Sequence, residues 1–199
     1  MGGDDAHAAT RAFFGPRAAG WEERFPDDEP AYEGAVADLC PPAGGVVLDA
    51  ACGTGRAGPA LRRAVGPAGL VVAADVTPEM LHELARRGRR SATELLLADV
   101  ARLPLPPASV NAVFAAGLVS HFDAVAGFAE LARVCRPGGR LAIFHPIGRV
   151  ALAARHGGVP DPEDIRVPHR LGVSLAAAGW DLESVDDGDE RYLALARRV

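Results

Sequence analysis

The 199-residue sequence contains no lysine; every basic side chain other than histidine is arginine. Chemistry that needs a lysine amine, such as Schiff-base formation or the P-loop phosphate grip, is thereby excluded. Cysteine is scarce as well. Cys40, Cys52 and Cys135 are odd in number, widely separated and in none of the spacings of a zinc site. They read as reduced structural thiols, and no metal is expected. No uninterrupted apolar run is long enough to cross a membrane. The start, Met1-Gly2-Gly3-Asp4-Asp5, lacks the basic residues and apolar core of a secretory signal, and Ala6 stands where a myristoylation signal carries Ser or Thr. A cytoplasmic location is the expectation. Positive charge is in the minority, with a net charge of −5, which argues against general affinity for nucleic-acid phosphates. The one basic run, Arg86-Arg87-Gly88-Arg89-Arg90, closes an expected helix. Cations are favoured there without any partner, so it reads as a solvated helix end. No internal repeat or low-complexity tail is present.

What the chain does have is the composition of a globular protein, 49% hydrophobic and 24% charged. Its length suffices for one domain with a buried core. The organising stretch runs from Val46 to Gly58. Val46-Val47-Leu48 opens a short apolar strand, and Asp49-Ala50-Ala51-Cys52 leads into a turn containing Gly53 and Gly55. Ala57, Ala60, Leu61, Ala64 and Val65 then recur at helical spacing. Strand, glycine turn and helix follow one another. Glycine leaves room for the turn and for a ligand against the backbone, and the N–H groups opening the helix favour polar or anionic groups.

Further along, residues 70–74 form a buried strand ending at Asp75, 20 residues after Gly55. Nucleotide-binding α/β folds place an acid there against ribose hydroxyls, and a carboxylate accepts from two neighbouring hydroxyls at once. Asp75 also suits the start of the next helix, where Thr77 can cap and Pro78 take the first position; both roles are compatible. Residues 94–98 give a third strand ending at Asp99-Val100, and residues 109–115 a fourth, followed by Ala116-Gly117 and by His121. A helix over 124–136 leads through Arg136-Pro137-Gly138-Gly139-Arg140-Leu141 into a strand ending at His145. Residues 146–168 have no strong period. A helix over 171–178 and two strands around Asp186-Asp187-Gly188-Asp189, a hairpin signal, complete the chain.

Gly53-Thr54-Gly55-Arg56-Ala57-Gly58 fits the dinucleotide pattern G-x-G-x-x-G. With Asp75 it supports one alternative, a nicotinamide-dependent oxidoreductase, which leaves Cys52 and Asp99-Val100 without a role. The run Asp49-Ala50-Ala51-Cys52-Gly53-Thr54-Gly55 more closely resembles motif I, D-x-[AG]-C-G-x-G, of the class I S-adenosylmethionine-dependent methyltransferases. Asp75, Asp99-Val100 with Leu103-Pro104, and the Arg-Pro-Gly-Gly-Arg-Leu turn resemble that family's later elements in the same order. The resemblance covers the chain from about Val46 onward. It implies a Rossmann-like, doubly wound α/β fold: a seven-stranded sheet, mostly parallel with the last strand antiparallel, and helices on both faces. It divides the chain into an N-terminal helical cap of the same domain (1–44) and a methyltransferase domain (45–199), with 146–168 as a substrate-side insertion.

The resemblance further implies S-adenosyl-L-methionine as cofactor. Asp49, Ala51, Cys52, Gly53 and Gly55 would lie near its amino-acid part, Asp75 and Val76 near the ribose, Asp99 and Val100 near the adenine, and Ala116 and Gly117 beneath the methionine. Asn111 stands where many relatives have Asp. It either alters hydrogen bonding on the cofactor side or faces away. The family's nucleic-acid enzymes acting on exocyclic amines carry an Asn/Asp-Pro-Pro-aromatic signature after the fourth strand. This chain lacks it, which points to a small-molecule acceptor. His121 and His145, at strand ends facing the ligand crevice, are the candidates for proton transfer; His7, His82 and His156 have no such placement. The aromatic stretch Phe13, Phe14, Trp21 and Phe25 suits either a lid over the pocket or a surface helix, with a further helix over 31–39. A cofactor-binding partner without catalysis is the third reading. The sequence leaves the acceptor and the oligomeric state open.

Overall fold

The computed structural model describes residues 3–24, 28–90, 93–118 and 123–199. Strand β1 (Val46–Ala50), buried from Val47 onward, lies at the middle of a mixed sheet. It pairs in parallel with β2 (Leu70–Asp75) on one side and β4 (Val110–Ala116) on the other. Beyond β2, the strand β3 (Thr93–Leu97) forms one edge, and β5 (Cys135–His145) continues beyond β4, both parallel. The other edge is antiparallel: β7 (Tyr192–Arg198) lies between β5 and β6 (Trp180–Asp187). The seven strands run β3-β2-β1-β4-β5-β7-β6, a mostly parallel sheet with the last strand antiparallel, as the resemblance implied. Strand order reverses between β1 and β4, and open α/β sheets bind ligands outside the carboxyl ends at such a point.

Side chains alternate across each strand, so the sheet has two cores. Val47 faces helices α2 (Glu29–Leu39) and α3 (Gly58–Val65), where Val36, Leu39 and Leu61 pack with Phe114 and Phe144. Leu48 and Ala50 face α5 (Ala124–Val134) and α7 (Pro168–Ala177), where Phe128, Leu131, Leu171 and Trp180 pack. Burying each such Leu or Phe contributes roughly 1.5–3 kcal/mol. The Trp180 indole N–H is also satisfied, donating to the Phe128 carbonyl at 2.9 Å. By the same alternation Asp49 faces the α2/α3 side.

The remaining helices are α1 (Gly3–Phe14), α4 (Pro78–Arg86) and α6 (Arg149–Arg155), with 3₁₀ turns at Gly15–Arg17 and Glu22–Arg24. Helix α6 lies in the stretch that showed no period, because its seven residues are too short to display one. It is fixed instead by Arg149, whose backbone N–H and Nε donate to Asp187 at 2.8 and 2.9 Å. The Pro-Gly-Gly stretch is looped out within β5. Val110 pairs with Cys135 and Ala112 already with Arg140, so residues 136–139 bulge between them. Asn111 faces the amino end of the sheet, where its Oδ1 accepts from the Val46 N–H at 2.9 Å. Its difference from Asp therefore lies away from the crevice.

Candidate functional site

Between β1 and α3 the backbone takes left-handed conformations at alternate residues: Ala51 (φ 58°), Gly53 (φ 54°) and Gly55 (φ 79°). Glycine adopts them freely and alanine at a cost. The Cys52 N–H donates to the Ala74 carbonyl at 3.0 Å, tying the turn to β2. A methyl group on Gly55 would lie 2.7 Å from Leu84, whereas the space beside Gly53 is open to 4 Å. Gly55 is needed for packing as well as conformation, and Gly53 leaves its backbone accessible.

Asp49, 2% exposed, sits just before this turn. Its Oδ2 is the one buried side-chain oxygen or nitrogen among the described residues without a hydrogen-bond partner. Burial, and then the negative charge of Asp75, push the Asp49 carboxyl up to about 7. At the end of β2, Asp75 accepts from the Gly53 N–H through Oδ2 and from the Thr77 N–H through Oδ1, both at 2.8 Å. Burial raises this carboxyl, and the backbone N–H groups of Thr77 and Gly53 oppose the rise. Thr77 stands at the N-cap position of α4, but no capping bond from its side chain forms. Cys52 is buried, and burial followed by the two acids keeps its thiol protonated. That suits packing, not nucleophilic chemistry.

After β3, Asp99 accepts from the Ala101 N–H at 2.8 Å through Oδ1, and its Oδ2 lies 3.1 Å from His7 Nε2. His7 was expected to have no place near the site; helix α1 brings it there. Val100 is buried in the core. Val76 accepts from Arg11 Nε at 2.8 Å through its carbonyl. After β4, Gly117 (φ 65°) donates its N–H to the Phe144 carbonyl at 2.9 Å, so Ala116-Gly117 is tied to β5. The candidate cofactor residues thus fall on the carboxyl ends of β3, β2, β1 and β4, which are consecutive in the sheet.

His145 ends β5, one strand further on. Its Nδ1 is engaged by the Ile147 backbone, at 2.8 Å from the carbonyl oxygen and 3.2 Å from the nitrogen. Burial holds the imidazole below its ordinary range. His121 and Phe25 lie outside the described residues.

Several contributors went unnoticed in the sequence. Tyr32 of α2 packs edge-on against Phe144 at 4.9 Å and is tilted against Phe114 at 6.3 Å; Phe114 is paired with Asp49 in the sheet. Glu22 accepts from the Thr54 hydroxyl and from Arg89, and Arg56 lies against Glu22 and Asp28 at 3.7 and 3.0 Å. Arg89 is therefore engaged, not a solvated helix end. The neighbouring Arg86 and Arg87 pair with Glu83. The only local sign of these roles was an acid amid the aromatic stretch, a pattern that exposed segments share. Phe14 packs edge-on against Trp21 at 5.4 Å and Phe13 at 4.9 Å.

Comparison with known proteins agrees with this geometry. A family model described as a methyltransferase domain matches residues 47–139. The chain is 40% identical over 107 residues to the ubiquinone/menaquinone biosynthesis C-methyltransferase UbiE of Hahella chejuensis, covering 51% of this chain and 43% of that enzyme. It is 37% identical over 101 residues to an uncharacterised 37.1 kDa protein in transposon TN4556 of Streptomyces fradiae, covering 50% of this chain and 29% of that one. The chain spans less than half the length of these curated relatives. Among solved structures, a SAM-dependent methyltransferase from Aquifex aeolicus superposes with a TM-score of 0.71 at 26% identity, covering 84% of this chain and 89% of that one. No helix among the described residues is long and apolar enough to cross a membrane. Fold, ordered site elements and relatives point the same way: the chain is similar to the class I S-adenosylmethionine-dependent methyltransferases, and a methyltransferase-domain model matches just under half of it.

Proposed function

We propose that the protein binds S-adenosyl-L-methionine across the carboxyl ends of β1–β4 and methylates a small-molecule acceptor. The observation that carries the reading is the buried, unpartnered Oδ2 of Asp49 at the head of a glycine turn whose outer side is open. A buried carboxylate oxygen without a partner is costly, and a ligand ammonium group would satisfy it. Asp75, already oriented by two backbone N–H groups, retains lone pairs for ribose hydroxyls. Asp99 can accept from an exocyclic amine, and the Val100 N–H can serve a ring nitrogen. Ala51, Cys52, Gly53 and Gly55 shape the turn, Val76 borders the ribose, and Ala116 with Gly117 forms the floor towards β4. Acids in this order leave the oxidoreductase alternative without a role for Asp99.

When bound, the cofactor supplies a methyl group already activated by a cationic sulfur. The protein's share is alignment and exclusion of water. The half-buried Tyr32, backed by the fully buried Phe114 and Phe144, offers an aromatic edge on the Asp49 side of the sheet, which suits a planar or apolar acceptor. Where the acceptor must lose a proton, His145 is neutral near pH 7, and its Nε2 is the nitrogen left for a substrate. His121 is the second candidate on sequence position. The C-methyltransferase relative makes activated carbon acceptors the first class to screen.

Calorimetric titration of S-adenosylmethionine and NAD into the wild type and Asp75→Ala tests the cofactor. Saturable S-adenosylmethionine binding, weakened in the variant, supports the reading; NAD binding in its place refutes it. Transfer of labelled methyl to a small-molecule panel then tests catalysis. Binding without transfer to any acceptor would favour a non-catalytic partner.

A further inference from the structure

Thr54 is the only side chain between the two glycines of the turn, and it is 1% exposed. Both of its polar ends are gripped from outside motif I. Its hydroxyl donates to Glu22 Oε1, and its carbonyl accepts from Arg89 Nη1 at 2.9 Å. The two gripping residues are themselves joined, Arg89 Nη1 and Nη2 donating to Glu22 at 2.9 and 3.3 Å. Burial alone would raise the Glu22 carboxyl; the hydrogen bonds from Arg89 and Thr54 outweigh it and keep the group ionised. Charge-assisted bonds of this kind are stronger than neutral ones.

A turn with glycines at φ 54° and 79° has little conformational preference of its own. Its shape must come from contacts. Leu84 supplies one by packing against Gly55. Glu22 and Arg89 supply the other, at the residue whose preceding amide, Gly53 N–H, orients Asp75. The N-terminal segment is thereby wired to Asp75, one of the three acids assigned to the cofactor.

We propose that Glu22, acting with Arg89, is a positioning residue of the cofactor site: together they hold Thr54, and through it fix the Gly53–Gly55 backbone for the ligand's amino-acid part and Asp75 for its ribose. The proposal rests on the S-adenosylmethionine reading given above. It places a residue of the N-terminal segment in the binding machinery without contact to the ligand.

The test uses S-adenosylhomocysteine as the titrant for the full chain. Glu22→Ala and Arg89→Leu each weaken binding about tenfold or more, while Glu22→Gln, which keeps the acceptor for Thr54, stays within about threefold. Glu33→Ala, which removes an exposed pairing with Arg63 that touches none of Thr54, Glu22 or Arg89, leaves affinity unchanged. Amide exchange at residues 53–55 accelerates in unliganded Glu22→Ala while the melting temperature stays close to wild type, a pattern that general destabilisation does not produce. Arg89→Leu carries the test should Glu22→Ala fail to fold. Wild-type binding with affinity unchanged in both variants, or unchanged exchange at 53–55, overturns the positioning role alone. Absence of binding by the wild type overturns the cofactor reading, and this role with it.

Discussion

Asp49 should make ligand binding depend on pH in a definable way. In the unliganded protein its carboxyl is raised from 3.8 to about 7, by burial first and by Asp75 second. An ammonium group needs the ionised form. Affinity for S-adenosylhomocysteine should therefore be level above about pH 8 and fall about tenfold for each pH unit below 7, since each unit corresponds to 1.36 kcal/mol. At pH 6 most molecules must give up a proton on binding. Isothermal titration in phosphate and in Tris, whose ionisation enthalpies differ, should then show an apparent enthalpy that changes with buffer, by close to one proton per ligand. Asp49→Asn should abolish both the pH slope and the buffer dependence, and weaken binding at pH 8. Asp75→Asn removes the second cause of the rise and should move the inflection to lower pH. The same group has a signature without ligand. Its proton is held more tightly folded than unfolded, so its contribution to stability is fully present below about pH 4 and is lost as pH rises through about 7. The full shift corresponds to about 4 kcal/mol as an upper figure, so unliganded Asp49→Asn should melt higher than wild type at pH 8. A ligand affinity that is flat from pH 5.5 to 8, or a slope that survives Asp49→Asn, would refute the assignment of the ammonium to this residue.

Other predictions follow from single contacts. Gly53→Ala should cost about 1–2 kcal/mol for the left-handed conformation but weaken ligand binding more, because the methyl enters open space beside the turn; Gly55→Ala should destabilise further through the 2.7 Å approach to Leu84, and melting curves with and without S-adenosylhomocysteine separate the two. His145→Gln should leave S-adenosylhomocysteine affinity within about twofold while lowering turnover by roughly 10²–10⁴ if the acceptor must be deprotonated; a turnover equal to wild type would remove it as the base. Asp187→Ala should cost about 1–3 kcal/mol in denaturant unfolding by stranding the half-buried Arg149 and releasing the start of α6.

The difference between what the sequence disclosed and what it concealed is a difference in the range of the physics involved. Motif I was legible because strand, left-handed turn and helix each leave a local mark: an apolar run, glycines, and helical spacing over Ala57, Ala60 and Leu61. Asp75 and Asp99 were legible as candidates because an apolar run closing on an acid is also a local mark. Nothing comparable marks Glu22. Its partners lie 32 residues away at Thr54 and 67 away at Arg89, and an acid in a polar turn and an arginine past a helix end each satisfy their own neighbourhood rules without the other. His7 at Asp99, Tyr32 beside Phe144 and Asn111 at the Val46 N–H are likewise settled only by the packing of one element on another. The residues that a local code reveals are those that would touch the cofactor, while Glu22 and Arg89, which bond Thr54, lie in the N-terminal segment and beyond the end of α4. For that reason the variants Glu22→Ala and Arg89→Leu, and not a further motif I substitution, decide whether the segment before Val46 is part of the binding machinery or only lies upon it.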